Sequence, residues 1–173
     1  MPVYKFNDFR RETELENRRL ELAEVHSSAI NKFQNSIDQF AVLVSGMKAF
    51  VHINDKFPSD TLLQAFIQGQ LNDIGFKDFI VVSFVDTNHI FKYSFTRYDL
   101  DPSGLVGRSV GAMRDGNELD RLNRLMQSDE MLLFKPINLV EGWIGIPLNF
   151  RVRRNGVTLG YIAPIIDFKT MLS

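Results

Sequence analysis

Residues 8–52 form an unbroken helical pattern that is too long to fit inside a domain of this size. The segment has no proline and no glycine before Gly46. About 45 helical residues at about 1.5 Å each reach roughly 65 Å. A compact chain of 173 residues has a diameter of roughly 40 Å. We therefore expect the helix to extend beyond its own domain by a few turns, unless it breaks and folds back as a hairpin.

The two halves of this predicted helix have different surfaces. The second half carries an apolar stripe at alternating steps of three and four residues, formed by Ile30, Phe33, Ile37, Phe40, Val44, Met47 and Val51. A stripe with this spacing is typical of a helix that packs on a core. The first half is mostly charged, and Glu14 and Arg18 have the spacing of an i,i+4 ion pair. We expect the charged half to overhang and the apolar half to pack.

The rest of the chain begins with a second helix and then changes to strand periodicity. Thr61 and Gln64 fit the capping box of that helix, and Gly75 fits its end. Alternating apolar residues predict strands at 79–86 and 90–98.

A short helix from Asn117 and three closing strands, at 132–139, 142–152 and 157–167, complete the chain. Asn155-Gly156 between the last two strands is a type I′ hairpin signal. The order predicts an α+β fold, with a long N-terminal helix packed on a five-stranded, mostly antiparallel sheet. Residues 1–52 form the stalk and core helix and residues 53–173 the rest of the domain, as one structural unit.

Composition excludes several classes of function. The chain has no cysteine, which excludes disulfides, thiolate catalysis and zinc–cysteine sites. Its net charge of −1 creates no strong field toward nucleic acid. His26, His52 and His89 have no partners at metal-ligand spacing, so we expect neither a metal nor a cofactor. The sequence starts in a charged helical pattern and stops just after a strand-like run, so we interpret it as a piece of a longer protein.

The segment DPSGLVGRSVG, residues 101–111, is close to a phosphate-binding loop but lacks its two key residues. Pro102 stands where that pattern needs its first glycine, and Arg108 stands where it needs lysine. The preceding strand is amphipathic, whereas a phosphate-binding loop follows a buried parallel strand. We interpret the segment as a glycine-rich crossover between sheet and helix.

Three stretches resemble extracytoplasmic PAS-like sensor domains, most closely the CHASE family, with Cache domains as near relatives. The long helix runs into MKAFVHINDKFPSDTLLQAFIQGQLNDIGFKDFIVVSFVD, which is similar to the stretch leading into the first CHASE strand. GLVGRSVG is similar to the short motif after the first hairpin, and LFKPINLVEGWIGIPLNFRV followed by NGVTLGYI is similar to the closing strands. The resemblance covers nearly the whole chain as a loose pattern of apolar and glycine positions.

This resemblance implies a non-catalytic sensor domain that lies outside the cytoplasmic membrane, between two transmembrane helices of a receptor. Such receptors include histidine kinases, cyclic-di-GMP enzymes and chemoreceptors. A small molecule would bind the concave face of the sheet, and the long helix would pack on the opposite face and continue into the membrane. A parallel homodimer through that helix is a further hypothesis.

Strand alternation predicts where such a ligand would lie. One face of the strand at 142–152 is wholly apolar and should be buried under the long helix; it consists of Ile144, Ile146, Leu148, Phe150 and Val152. The other face and its neighbours on adjacent strands supply the candidate ligand-binding residues Tyr93, Arg97, Trp143, Asn149, Arg151, Tyr161 and Asp167. Among them, Arg151 suits a carboxylate and Asp167 suits an amine.

An alternative function starts from the strand at 91–98, where aromatic and basic residues alternate. If Phe91, Tyr93 and Phe95 shared one exposed face, they would form a stacking platform for single-stranded nucleic acid. The near-zero net charge and the lack of a second strand of this kind argue against that alternative.

Overall fold

The computed structural model describes residues 3–54, 57–75, 80–139, 142–167 and 169, with side chains described from residue 10 onward. Over these residues the helices are α1 (Val3–Ile53), α2 (Asp60–Asp73) and α3 (Gly116–Leu125). A single 3-10 turn spans Val110–Ala112. The strands are β1 (Ile80–Asp86), β2 (Phe91–Phe95), β3 (Leu132–Leu133), β4 (Ile137–Asn138), β5 (Ile144–Arg154) and β6 (Val157–Asp167).

The α1 helix is continuous over 51 residues, so it does not fold back as a hairpin. Side chains 10–28 are exposed, and the first buried side chain is that of Phe40. The charged half therefore overhangs the domain, as predicted, and carries the Glu14–Arg18 ion pair at 2.7 Å. The apolar stripe packs only from Phe33 onward, because Ile30 is 53% exposed. Over the described residues, no helix combines the length and apolarity needed to cross a membrane.

The sheet has six strands rather than the predicted five, and every strand pair is antiparallel. The order is β2-β1-β6-β5-β3, and β4 also pairs with β5. The extra strand arises because residues 132–139 form two short strands separated by Pro136, which has no N–H to donate to β5. Phe79, at the start of the first predicted strand, lies outside the described residues.

Local signals set most of the element ends. Gly75 ends α2 with a φ of +67°, as predicted, whereas the N-cap is Ser59 rather than Thr61. The Ser59 hydroxyl accepts a hydrogen bond from the Leu62 N–H at 3.3 Å. Asn155 and Gly156 have φ values of +50° and +82°, which confirms the type I′ hairpin between β5 and β6.

The sheet separates two apolar clusters. Helices α1 and α2 cover one face, where Ile146, Leu148 and Val152 of β5 are buried as predicted. The prediction that Ile144 is buried with them is wrong: it is 48% exposed because it lies at the end of β5 beside the short β4. The opposite face packs against α3 and the crossover and forms a smaller cluster, made by Val85, Val110, Leu122, Leu125, Phe134 and Tyr161.

Candidate ligand-binding cavity

A cavity of about 360 Å³ lies on the face of the sheet opposite α1. Strands β1, β5 and β6 form its floor, and the crossover, α3 and the β3–β4 segment enclose it. The lining is mostly apolar, from Val85, Phe91, Leu105, Val110, Met113, Leu122, Phe134, Ile137, Leu139, Pro147, Ala163 and Ile165. The polar lining residues are Ser83, Ser103, Arg114, Asn138, Asn149 and Tyr161. A largely apolar cavity with a few convergent polar groups is typical of a small-molecule site.

Asn149 places a side-chain amide in the cavity wall without a protein partner in the described part of the chain. Its side chain is 4% exposed and lines the cavity from the centre of β5. Its amide forms no hydrogen bond with the described residues, and neither of its polar atoms is among the fully enclosed unpartnered ones, so the amide opens into the cavity. An amide that opens into a cavity and has no protein partner can donate to and accept from a molecule bound there, so this arrangement indicates a ligand-binding group.

Tyr161 lies beside Asn149 and connects the cavity wall to the protein surface. Its hydroxyl is 3.2 Å from Nδ1 of His89, and Nε2 of His89 is 3.0 Å from Oδ1 of Asn123 on α3. Burial raises the pKa of Tyr161, so its phenol stays protonated and neutral. The phenol is therefore fixed in place and available as a neutral hydrogen-bonding group.

Arg114 supplies the positive charge in the lining. Its guanidinium lies 3.5 Å from a Glu118 carboxylate oxygen, and both side chains are largely buried. It also lies 5.2 Å from the ring centroid of Phe134, while Arg121 lies 4.7 Å from the same centroid. These contacts fix the guanidinium at the cavity wall, where it can donate to an oxygen of a ligand.

The glycine-rich crossover forms the lid of the cavity, which agrees with its interpretation as a crossover. The Asp101 carboxylate accepts hydrogen bonds from the N–H groups of Leu105 at 2.6 Å and Val106 at 3.2 Å. The far end of the crossover pairs with the start of β2, since the Gly107 N–H donates to the Phe91 carbonyl at 2.9 Å. The Asp101 N–H donates to the Ser94 carbonyl of β2, so the lid is tied to β2 at both ends, and its middle faces the cavity.

A β-bulge moves one of the expected site residues to the other face of the sheet. Val85 pairs with Phe91, but the preceding Phe84 pairs with Tyr93, so β2 contains one extra residue. Phe91 therefore faces the cavity, whereas Tyr93 faces the helices and stacks on Phe57 at 5.2 Å. The expectation that Tyr93 belongs to the same site as Asn149 is wrong for this reason.

The structure also places the remaining candidates. Asn149 and Tyr161 line the cavity, whereas Arg97, Trp143, Arg151 and Asp167 do not. Arg97 follows β2 on the side of α2, where its carbonyl accepts a hydrogen bond from Gln68.

Three of these candidates lie on or beside β5 and β6 outside the cavity. Trp143 precedes β5, and its carbonyl accepts from the Leu139 N–H at 2.9 Å. The guanidinium of Arg151 is held by the Met126 carbonyl and the Asp129 carboxylate. Asp167 ends β6, and its carboxylate accepts from the Lys169 N–H at 3.0 Å.

Sequence reasoning missed several lining residues. Strict alternation would place Phe91 and Tyr93 on the same face of β2. The bulge places them on opposite faces, and no feature of the sequence marks the bulge. Arg114 and Met113 lie in an irregular segment, where neither helix nor strand periodicity predicts which side chains face inward. Phe134 lies between two short strands that the sequence presents as one. Only Pro136, two residues further along the chain, could have indicated the break.

The β1–β2 turn beside the cavity gives a prediction on stability. Burial alone would raise the pKa of Asp86, but hydrogen bonds from the Ile90 and Asn88 N–H groups and from Lys92 outweigh it and lower the pKa. A carboxyl with a depressed folded-state pKa stabilises above its unfolded pKa, and that contribution disappears as pH falls through the folded value. We expect Asp86→Asn to cost about 1 kcal/mol at pH 7 and to flatten the loss of stability in acid. Urea denaturation between pH 7 and pH 3 measures both effects. An unchanged acid slope would contradict this prediction.

Solved structures of receptor domains share this architecture. The ligand-binding domain of the Pseudomonas aeruginosa PAO1 amino acid chemoreceptor PctC in complex with GABA matches 87% of this chain at a TM-score of 0.55 and 21% identity. The extracellular domain of a predicted histidine kinase, vpHK1S-Z8, matches 92% at a TM-score of 0.65 and 13% identity. The Campylobacter jejuni chemoreceptor Tlp3 domain in complex with 4-methylisoleucine matches 92% at 0.60 and 12%.

The fold is that of extracytoplasmic PAS-like sensor domains. The comparison confirms the resemblance at the level of extracytoplasmic PAS-like sensor domains, and the α+β architecture with a long first helix is the expected one. The chain spans 62%, 61% and 61% of those three solved domains, respectively. No family model matches the sequence, and no curated protein matches it.

Proposed function

We propose that this chain is the ligand-sensing part of a membrane-anchored receptor and that it binds a small molecule in the cavity opposite α1. The observation that carries the proposal is the buried Asn149 amide, which faces a cavity of about 360 Å³ without a hydrogen-bond partner among the described residues. The fold supports the same function, because the structures that share it are ligand-binding or extracellular receptor domains.

The lining indicates the chemistry of the ligand. An apolar body would contact Val85, Phe91 and Leu122, and a polar end would meet Asn149, Tyr161 and Arg114. An amide both donates and accepts, a neutral phenol does the same, and a guanidinium only donates. The ligand is therefore a small, mainly apolar molecule with at least one oxygen acceptor at one end.

The direct test is a thermal-shift screen of the purified chain against small carboxylates, amino acids, amides and nucleobases. A hit stabilises the folded state by mass action, so the melting temperature rises with ligand concentration. The proposal requires that a hit lose its effect when Asn149 is replaced and keep it when the exposed Asn117 is replaced. If a ligand bound equally well to the Asn149 and Asn117 variants, the binding site would lie outside this cavity.

We further propose that α1 carries the signal from the cavity to the membrane and that the receptor has a histidine kinase or a cyclic-di-GMP enzyme as its output. Support comes from the shape of α1, which packs on the sheet through its second half and overhangs through residues 10–28. A ligand that orders the crossover would shift α1 against the sheet. A parallel homodimer through the overhang, and a position outside the cytoplasmic membrane, belong to the same proposal.

Proline at Val25 tests this transmission. Val25 is 62% exposed in the overhang, far from the buried part of α1. Proline removes a backbone hydrogen bond and kinks a helix interior at a cost of about 3 kcal/mol. We expect Val25→Pro to keep ligand affinity within about twofold and to abolish signalling in the receptor that carries this domain. The control is Val25→Ala, which preserves the helix and should signal normally. An equal loss of binding and signalling in the proline variant would contradict transmission through α1.

The nucleic-acid alternative loses its geometric basis. Phe95 is buried under the helices, Tyr93 stacks on Phe57, and Phe91 faces the cavity. These three aromatic residues do not form one exposed platform. No observation on the described residues favours the alternative over a ligand sensor.

A further inference from the structure

A second concave site lies outside the cavity, beside the part of β5 that extends beyond its pairing with β3. It encloses about 470 Å³ between the end of α1, the segment that follows α3, and the β5–β6 turn. We call it the edge groove; it is lined by Lys48, Ala49, His52, Ile53, Asp129, Arg151, Arg153, Asn155 and Gly156. None of these residues lines the cavity.

The charges of the edge groove are unbalanced. Lys48, Arg151 and Arg153 bring three cations, whereas Asp129 is the single carboxylate among the lining residues. Asp129 contacts Arg151 and lies 3.6 Å from Arg153, and its side chain is 69% exposed. A hydrogen bond from Arg151, together with the charges of Arg151, Arg153 and Lys48, lowers the pKa of Asp129. One carboxylate therefore sits in a positive field that it does not neutralise.

Donors remain available around this carboxylate. Arg151 is 8% exposed, and its two terminal guanidinium nitrogens already donate to the Met126 carbonyl and the Asp129 carboxylate, so the available donors are those of Lys48 and Arg153. Lys48 is half-buried in the groove, and its ammonium forms no ion pair with any described carboxylate. A half-buried cation with unused donors favours an anionic partner over water.

We propose that the edge groove binds a small multivalent anion, of the phosphate or dicarboxylate class. Such an anion would be held by Lys48 and Arg153 beside the Arg151–Asp129 pair. It would connect α1 to β5 and to the β5–β6 turn, because each of these segments supplies a lining residue. The bound anion would therefore fix the packed end of α1 against the edge of the sheet, independently of the cavity.

The test is calorimetric titration of the whole chain with sodium phosphate at pH 7.5, with sodium chloride holding the ionic strength constant. We expect saturable phosphate binding by the wild-type chain and at least tenfold weaker binding by Lys48→Gln/Arg153→Gln. Glutamine keeps part of each aliphatic stem, so the fold should be retained. The control is Lys135→Gln, which removes one charge from an exposed residue outside the groove and should bind like the wild type.

Two results would overturn the proposal: no saturable phosphate binding by the wild-type chain, or equal binding by the double variant and the wild type. If the double variant does not fold, the single Lys48→Gln change on the surface of α1 tests the same point and should weaken binding by at least threefold. Asn149→Leu alters only the cavity and should bind phosphate normally. These variants therefore show whether the anion proposal for the edge groove fails independently of the ligand proposal for the cavity.

Discussion

Gly160→Ala is expected to lower the free energy of unfolding by about 3 kcal/mol or more. Gly160 has a φ of +143° on β6, between Asp86 on β1 and Val152 on β5. A Cβ there would lie 2.0 Å from the Val85 carbonyl oxygen and 2.9 Å from the Asp86 Cα. Both atoms belong to the backbone of the central sheet, so neither can move aside without breaking strand pairing. The measurement is the midpoint and slope of urea denaturation.

Gly69→Ala is the matched control, because it adds the same methyl group where nothing opposes it. Gly69 lies in α2, and an added Cβ would meet nothing within 4 Å there. Alanine in place of glycine in a helix interior stabilises by roughly 0.5–1 kcal/mol. The two alanine variants should therefore shift stability in opposite directions. A Gly160→Ala protein with the wild-type midpoint would show that the sheet tolerates a side chain at this position.

The sequence predicts the helices and the hairpin well because their signals are local and periodic. The α1 stripe repeats over many turns, so packing from Phe33 to Val51 follows from spacing alone. Gly75 and Asn155-Gly156 supply the positive φ that their positions require. Thr61 is a poorer guide, since the nearby Ser59 offers the same hydroxyl two residues earlier.

The candidate site is harder to predict because it depends on how strands register against one another. Asn149 and Tyr161 can be identified from alternation, since the register of β5 against β6 is constant from the Gly145–Asp167 pair to the Val152–Gly160 pair. Alternation places Tyr93 on the wrong face, because the extra residue in the β2 bulge turns its side chain to the opposite face of the sheet. Arg151 belongs to the same strand as Asn149, but the segment after α3 returns to cover it, a contact set by tertiary packing.

Asn149→Leu is expected to change stability and binding in opposite directions. Leucine has the same number and branching of side-chain heavy atoms as asparagine but no hydrogen-bonding group, and its methyl groups would contact the apolar lining of the cavity. Because the amide opens into the cavity and has no partner among the described residues, an apolar side chain that packs on the apolar lining should raise the free energy of unfolding of the ligand-free chain by about 1 kcal/mol. The same change should weaken the binding of a cavity ligand by at least tenfold, because the polar group of the ligand loses its hydrogen bonds to the amide.

The two signs together separate a binding residue from a structural one. A buried polar residue that holds the fold together makes the protein less stable when it is replaced, whereas replacing Asn149 is expected to make it more stable. Asn117→Leu, on the exposed surface of α3, should leave the free energy of unfolding within about 0.5 kcal/mol and leave ligand affinity unchanged. Urea denaturation and calorimetric titration of the wild type and these two variants supply both quantities. If Asn149→Leu lost stability as well as binding, the amide would belong to the architecture of the sheet, and the ligand would have to be recognised by Arg114 and Tyr161 instead.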